Sequence, residues 1–157
     1  MSKILSQQRL SLRALSRLSR AYQTLTSQIE RALKEAELPG MAAHDVLAEL
    51  SIAAGQQLRP GEIGAALGIT QYNLSRLLDR LVALGLVRRA AVAGDARGQW
   101  VALTLPGAAT HQRMAAIVAN LAHQQFYAGL EEDQIRKLSK LLRRIVPEPA
   151  EPENGAH

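Results

Sequence analysis

The order of helix and strand signals in the middle of the chain constrains the fold more than any other feature. A short segment that opens at Pro60 is followed by a turn at Gly68, a longer amphipathic segment that ends at Gly85, and two strand-like runs around a Gly-Asp loop. Proline is favoured in the first turn of a helix, whereas glycine marks turns and helix ends. The sequence therefore predicts a helix from Pro60 to Leu67, a second helix capped by Thr70, and a β-hairpin.

The second of these helices has one apolar and one polar face. Its leucines recur at spacings of three and four residues, which predicts that they face a core. The polar face suits a helix that contacts base edges and phosphates, and on its own it equally suits a solvated surface helix. The hairpin that follows favours the first interpretation, because the combined order outlines a winged helix-turn-helix. The polar residues are Gln71, Tyr72, Asn73, Ser75, Arg76 and Arg80, and the leucines are Leu74, Leu77, Leu78 and Leu81.

A long first helix is predicted from Ile4 to Glu37, because Pro39 and Gly40 end the pattern there. Its apolar residues follow a three-four spacing over several turns, as in helices that pair with another helix. Such a seam left open to water would be an aggregation hazard, so the sequence predicts an obligate homodimer. The seam comprises Leu15, Leu18, Tyr22, Leu25, Ile29, Ala32 and Ala36.

Three more helices complete the predicted fold. They run from Ala42 to Ala54, from Pro106 to about Tyr127, and from Glu131 to Val146; residues 147–157, rich in Pro and Glu, are expected to be disordered. The fold class is mainly α with a small β-hairpin, which has one buried face. Residues 1–38 form a dimerisation helix, 42–104 the winged helix-turn-helix lobe, and 106–146 the C-terminal dimerisation helices. Expected core contacts are Val46, Leu47, Leu50 and Ile52 in the second helix, and Val101 and Leu103, alternating with Trp100 and Ala102, in the hairpin.

Charge and composition narrow the classes of function. The formal net charge of +5 fits a polyanionic partner such as nucleic acid, and it fits ordinary solubility equally well. The chain has no cysteine, which excludes thiol catalysis and thiolate zinc sites and fits a reducing compartment. Without a signal-like start or a run of about 18 apolar residues, no membrane partner and a cytoplasmic location are expected.

Two other classes of function are an enzyme and a protein-contact module. The sequence has no glycine-rich phosphate loop, no nucleophile elbow and no carboxylate or histidine cluster at a catalytic spacing, so we expect no enzyme activity and no cofactor. A winged helix used only for protein–protein contact is the second alternative. Such a module would not need arginines grouped around the helix and the wing. The grouped residues are Arg76, Arg80, Arg88, Arg89 and Arg97.

Two motifs resemble the multiple-antibiotic-resistance-regulator (MarR) family of bacterial transcription factors. The stretch "LRPGEIGAALGITQYNLSRLLDRLVALGLVRR" matches, without a gap, the family pattern of a small-residue helix, L-G-[VI]-[ST], a helix ending D-R-L, and G-L-V-x-R. The stretch "DARGQWVALTLPG" matches the family's wing, D-x-R-x-x-x-V-x-L-T-x-x-G. The resemblance covers roughly Ala42 to Ile145. It implies a homodimer whose first and last two helices form a base, with two lobes bound to a palindromic double-stranded operator.

The resemblance also implies roles for single residues. Arg97 would enter the minor groove from the wing tip, where a narrow A·T-rich groove attracts a guanidinium, and Asp95 would hold it by a salt bridge. Family members often carry two small hydroxyl residues where this chain has Tyr72 and Asn73, so the operator preference is not transferable. The expected DNA-binding residues are Thr70, Gln71, Tyr72, Asn73, Ser75, Arg76, Arg80, Arg88, Arg89, Asp95 and Arg97.

Many family members release DNA when a small aromatic or anionic ligand binds between the dimer base and the lobe. The resemblance therefore implies a repressor that is released by a ligand, and the candidate pocket residues are Arg13, Arg17, Tyr22 and His44. A metal-responsive regulator of the same fold is the alternative, with His44, Asp45 and His111 as candidate ligands. The predicted helices contain no H-x-x-x-H pair, however, so no metal site is expected.

Overall fold

The computed structural model describes residues 2–92 and 95–146, and the side chains of residues 3–91 and 98–146. The fold is mainly helical with one small sheet, as the sequence predicts. The elements are α1 (Ser2–Glu35), α2 (Met41–Ile52), a 3₁₀ turn (Ala54–Gln56), β1 (Gln57–Leu58), α3 (Pro60–Leu67), α4 (Gln71–Ala83), β2 (Val87–Val92), β3 (Asp95–Leu103), α5 (Leu105–Tyr127) and α6 (Glu132–Ile145). Their bounds agree with the predicted helices to within about two residues at each end. No helix in these ranges is long and apolar enough to cross a membrane.

The hairpin belongs to a three-stranded antiparallel sheet with the order β1-β3-β2. Leu58 of β1 pairs with Val101, and Arg89 of β2 pairs with the same residue from the other side. The prediction of a hairpin with one buried face is wrong at the end of β3, because Ala102 is buried along with Val101 and Leu103. Ala102 pairs with Gln57 of β1 and Arg88 of β2, and these longer residues flank it on the same face of the sheet.

One hydrophobic core joins the helices to this sheet. It takes Ile29 and Leu33 from α1, Met114 from α5, and the predicted residues Val46, Leu47 and Leu50 from α2. Ile52 was wrongly predicted to be buried: it is 80% exposed, whereas Leu50 is fully buried. Residues two apart on a helix lie on opposite sides of it, so the face that buries Leu50 turns Ile52 to solvent. Among the described side chains, the buried hydrophobic residues are Ile29, Leu33, Ala43, Val46, Leu47, Leu50, Ile63, Leu74, Leu77, Leu78, Leu81, Leu86, Val87, Val101, Ala102, Leu103 and Met114.

The first helix is packed only at its C-terminal end. Ile29 and Leu33 are buried, whereas Leu15, Leu18 and Tyr22 of the predicted seam are 63%, 44% and 67% exposed in the single chain. Leu33, which widens the seam, is more deeply buried than Ala32 or Ala36. The seam is therefore continuous along one face, and a single copy of the chain covers only the end of it. The division of the chain into dimerisation regions and a lobe stays a prediction, and residues 147–157 lie outside the described residues.

A carboxylate joins α1 to α2. Glu30 Oε1 accepts a hydrogen bond of 2.8 Å from the backbone N–H of Met41, the first residue of α2. The first N–H groups of a helix have no partner within it, so a side chain from outside satisfies one of them. The Glu30 carboxylate lies so close to Gly40 that a Cβ there would come within 2.7 Å of its oxygen. The contact holds the start of α2 against α1.

The start of α5 makes an unusually close contact with the turn between α4 and β2. A Cβ on Gly107, in the first turn of α5, would lie 1.9 Å from the carbonyl oxygen of Leu86. The hydroxyl of Thr104 bonds across the same junction: it accepts from the Gly107 N–H at 3.0 Å, and it lies 2.7 Å from the carbonyl oxygen of Gly85. Only glycine allows the two backbones to approach this closely.

We predict that Gly107→Ala destabilises the protein strongly. The new methyl group would meet backbone rather than a movable side chain, so the free energy of unfolding should fall by at least about 1–3 kcal/mol, the usual cost of overpacking. Gly61→Ala is the matched control, because nothing lies within 4 Å of its Cβ position in α3. That variant should gain about 0.5–1 kcal/mol from the better helix propensity of alanine. Urea denaturation of both variants checks this, and an unchanged midpoint for Gly107→Ala would contradict the close contact.

Candidate nucleic-acid interface

The two faces of α4 differ as the sequence predicts. Leu74, Leu77, Leu78 and Leu81 are buried in the core. The side chains predicted to meet DNA are all exposed on the other face: Gln71, Tyr72, Asn73, Ser75, Arg76 and Arg80.

Two local features fix where α4 begins. Gly68 adopts a left-handed conformation with φ of 63°, which turns the chain sharply between α3 and α4. Thr70 then caps α4, its hydroxyl oxygen accepting from the Asn73 N–H at 3.4 Å. The predicted cap at Thr70 is therefore confirmed. Together the turn and the cap place Gln71 and Tyr72 at the exposed start of the helix.

Arg76 is held by a neighbour on the same helix face. Its Nη1 donates a hydrogen bond of 3.2 Å to the hydroxyl oxygen of Tyr72, one turn earlier. The guanidinium carbon also lies 5.7 Å from the centre of the Tyr72 ring, within the range of a cation–π contact. Arg76 lines a groove of about 420 Å³ together with Asn73 and Arg80.

Arg89 is paired with α4 rather than left free at the surface. Its Nη2 lies 2.6 Å from Oδ1 of Asp79, and this ion pair joins β2 to α4. The Asp79 side chain is 65% exposed, so the pair contributes about 0.2–1 kcal/mol. Asp79 was not predicted as a site residue, since ten positions separate it from Arg89 and no local spacing links them. Arg88, which precedes Arg89 on β2, is exposed.

A crevice lies between α3, α4 and the sheet. Its volume is about 570 Å³, and its polar lining comes from Gln71, Ser75, Arg89 and Gln99, with Pro60 and Gly64 among the residues on its apolar side. This size falls within the range of about 300–1,000 Å³ that is usual for small-molecule sites. None of the residues predicted to bind a ligand lines it.

The wing is formed by β2 and β3. Their pairing is irregular after Ala91, where Val92 pairs with Asp95. Trp100 of β3 is half-buried, and the guanidinium carbon of Arg59 lies 5.4 Å from the centre of its ring. The side chains of Asp95 and Arg97, predicted to form the wing-tip salt bridge, lie outside the described residues.

The predicted ligand-binding residues do not form one cluster in the single chain. Arg13, Arg17 and Tyr22 lie on the exposed part of α1, whereas His44 is half-buried on α2. His44 faces His111 of α5 with 5.5 Å between the ring centres, and its Nδ1 lies 3.1 Å from Oδ1 of Asp45. Within the described part of the chain, no group of three or more His, Cys, Asp or Glu residues has the geometry to hold a metal ion.

The surroundings of His111 disfavour its protonation. Burial between α2 and α5 lowers the pKa of His111 below its ordinary value of 6.5, and the neighbouring His44 lowers it further. A positive charge on this ring would lose solvent and would face the second imidazole. His111 is therefore expected to be neutral at pH 7 in the folded protein.

Comparison with known proteins identifies the family. Residues 37–98 match the family model of the MarR family. The multiple antibiotic resistance protein MarR of Escherichia coli (strain K12) is 34% identical over 97 residues, which cover 62% of this chain and 67% of that protein. A crystal structure of a cysteine-to-serine variant of the E. coli protein, complexed with operator DNA, superposes with a TM-score of 0.76 at 30% identity, covering 87% of this chain and 96% of that one. The chain belongs to the MarR family.

A second structure in the family is similar over more of the chain. A MarR family transcriptional regulator from Streptomyces coelicolor, solved in complex with DNA, has a TM-score of 0.78 at 26% identity and covers 95% of this chain and 91% of that one. The resemblance inferred from the two sequence motifs is thus confirmed, and so is the mainly helical fold with a winged helix.

We predict that the folded protein loses stability as the pH falls below about 6.5. In the unfolded chain His111 titrates near 6.5, whereas the folded state holds its pKa lower, so the unfolded state binds more protons in this range. The loss should begin near 6.5 and level off once the pH is below the folded-state pKa of His111. The variant His111→Gln should show a shallower decline between pH 7.5 and pH 5 in urea denaturation. His123→Gln, on an exposed part of α5, is the control, and equal pH dependence in the wild type and His111→Gln would contradict the argument.

Proposed function

We propose that this MarR family protein is a homodimeric regulator of transcription that binds specific sequences in double-stranded DNA. The observation that carries the proposal is the division of α4 into a buried leucine face and an exposed polar face at the front of the lobe. A helix that enters a major groove needs this division, because one face must stay on its own core while the other meets the bases. The two relatives with DNA in their structures support the same assignment.

We propose that side chains at the start and in the middle of α4 contact the base edges. Gln71, Asn73 and Arg76 present planar groups that can form paired hydrogen bonds with base edges, and such pairs discriminate between bases. Arg80 and Arg88 are exposed and suit phosphates, which fix the position of the protein but carry no sequence information. The wing residue Arg97 is assigned to the minor groove on the strength of the sequence motif.

Dimerisation is assigned to the apolar faces that a single chain leaves open. Leu15, Leu18 and Tyr22 continue the buried face of α1, and Leu141 and Ile145 of α6 are also exposed, at 45% and 68%. Exposed apolar surface of this extent marks an interface in soluble proteins. A second copy of the chain fits it best, because a palindromic operator requires two lobes related by a two-fold axis.

We also propose that the protein represses transcription while it is bound to DNA, and that a small ligand releases it from the DNA. The crevice of about 570 Å³ beside α4 has the size and the mixed lining of a ligand site. The residues predicted from the resemblance, Arg13, Arg17, Tyr22 and His44, are not clustered in the single chain and would require the second subunit to enclose a ligand.

Substitution of the α1 seam should abolish the dimer. A Leu15→Asp, Leu18→Asp double variant places two carboxylates in an apolar interface, where their desolvation is costly. We expect a monomer by light scattering at micromolar concentration, together with loss of operator binding. Ser16→Asp is the matched control, since it adds a carboxylate on the polar side of the same turn. A wild-type protein that is monomeric under these conditions would contradict the dimer.

Substitutions in α4 and substitutions in the wing should weaken DNA binding in different ways. A preferred duplex is first selected from a random library, and binding is then titrated on this duplex and on a scrambled one. Arg76→Ala or Asn73→Ala should cost roughly 1–3 kcal/mol on the preferred duplex and much less on the scrambled one. Arg97→Ala should weaken both, since the minor groove distinguishes little beyond A·T from G·C.

Lys140→Ala, on α6 and far along the chain from the wing, serves as the control for loss of charge. Folded α4 variants that bind the preferred duplex as well as the wild type would show that α4 is not the reader. The protein-contact alternative is tested by salt, because each phosphate contact should contribute a slope of about −0.9 to log affinity against log salt. A slope near zero would favour that alternative.

A further inference from the structure

We infer that Tyr72 is a positioning residue that holds Arg76 ready to read a guanine. The inference rests on the proposed function and deepens it, because it concerns which group on α4 decides the base. It starts from the contact already described: the Tyr72 hydroxyl accepts from Arg76 Nη1 at 3.2 Å, and the ring lies against the guanidinium at 5.7 Å. Both contacts engage the guanidinium group, so Tyr72 restricts the direction in which Arg76 points.

The nearest carboxylate on the helix does not take this role. Asp79 lies three residues after Arg76, a spacing that normally allows an ion pair on a helix. Its Oδ1 is engaged by Arg89 from β2 at 2.6 Å, and Arg76 has no carboxylate partner among the described residues. Arg76 is therefore oriented by a neutral group. It keeps its full positive charge, which a carboxylate would have cancelled before DNA arrived.

The hydrogen-bonding capacity of Arg76 leaves room for a base. A guanidinium has five N–H donors, and Tyr72 uses one of them. The remaining donors can form the bidentate contact with O6 and N7 of guanine, which is the most common specific contact of arginine in the major groove. The hydroxyl proton of Tyr72 stays available for a phosphate oxygen. The structure thus points to a G·C pair in each half-site that is read by Arg76 and selected through Tyr72.

Preorganisation has a measurable consequence. Ordering a free arginine on binding costs side-chain entropy, and a side chain that is already ordered avoids part of this cost. Arg80, one turn further along α4, has no hydrogen-bond or ion-pair partner among the described side chains, so it supplies an internal reference for a mobile arginine. In the free protein, Arg76 should be more ordered than Arg80.

The test combines base preference with side-chain order. Selection from a random duplex library gives the preference of the wild type, Tyr72→Ala, Tyr72→Phe, Arg76→Ala and the double variant Tyr72→Ala, Arg76→Ala. Arg76→Ala should lose a preference for G·C at one position in each half-site. Tyr72→Ala should weaken the same preference by about three- to tenfold, given the usual worth of one hydrogen bond and one exposed cation–π contact. Tyr72→Phe keeps the ring, so its preference should lie between that of the wild type and that of Tyr72→Ala. The double variant should lose no more of the preference than Arg76→Ala does.

Val82→Ala is the matched control, because Val82 is an exposed residue of α4 that takes no part in these contacts, and it should leave the preference at the Arg76 position unchanged. In the free protein, the order parameter of the Arg76 Nε–H group, measured by NMR relaxation, should fall to that of Arg80 in Tyr72→Ala. A preference that survives Tyr72→Ala overturns the inference while leaving the proposed function intact. A wild-type protein that selects no duplex at all overturns both.

Discussion

Burial of one side of α4 is the interaction on which the rest of the structure depends. Its four leucines are inserted among α2, α3 and the sheet, and each fully buried leucine contributes roughly 1.5–3 kcal/mol relative to leaving it in water. No other orientation of this helix would bury them. The polar side chains are therefore presented outward as a consequence of core packing, and the positions of Gln71, Asn73 and Arg76 follow from the leucines rather than from any contact of their own.

The same core connects α4 to the helices that would form the dimer. Ile29 and Leu33 of α1 and Met114 of α5 lie in one cluster with the leucines of α4, and Glu30 satisfies the start of α2 from α1. The junction at Thr104 and Gly107 fixes α5 to the turn after α4 with almost no space between the backbones. α4, α1 and α5 therefore pack around one core, which fixes the polar face of α4 relative to the helices proposed to form the dimer.

Much of this arrangement could be predicted because it depends on local chemistry. A few adjacent residues determine the spacing of Leu74 to Leu81, the Thr70 cap and the turn at Gly68. The wing motif is equally local. The features that were missed depend on contacts between distant segments. β1 is only two residues long and has no periodicity, and the Asp79–Arg89 pair arises only once β2 lies beside α4. The prediction for Ile52 is wrong because its angular position on α2, and not its apolar character, decides that it faces solvent.

The long first helix also has a consequence for how the chain is made. α1 is synthesised before α5, yet Ile29 and Leu33 of α1 share one buried cluster with Met114 of α5. At about 5–20 residues per second, the apolar face of α1 waits on the order of several seconds for its partners within the chain. The N-terminal half of α1 remains exposed in the single folded chain, where Leu15, Leu18 and Tyr22 face solvent. A newly made copy therefore presents an apolar helix face to water from early in its synthesis, before the core that takes in Ile29 and Leu33 is complete.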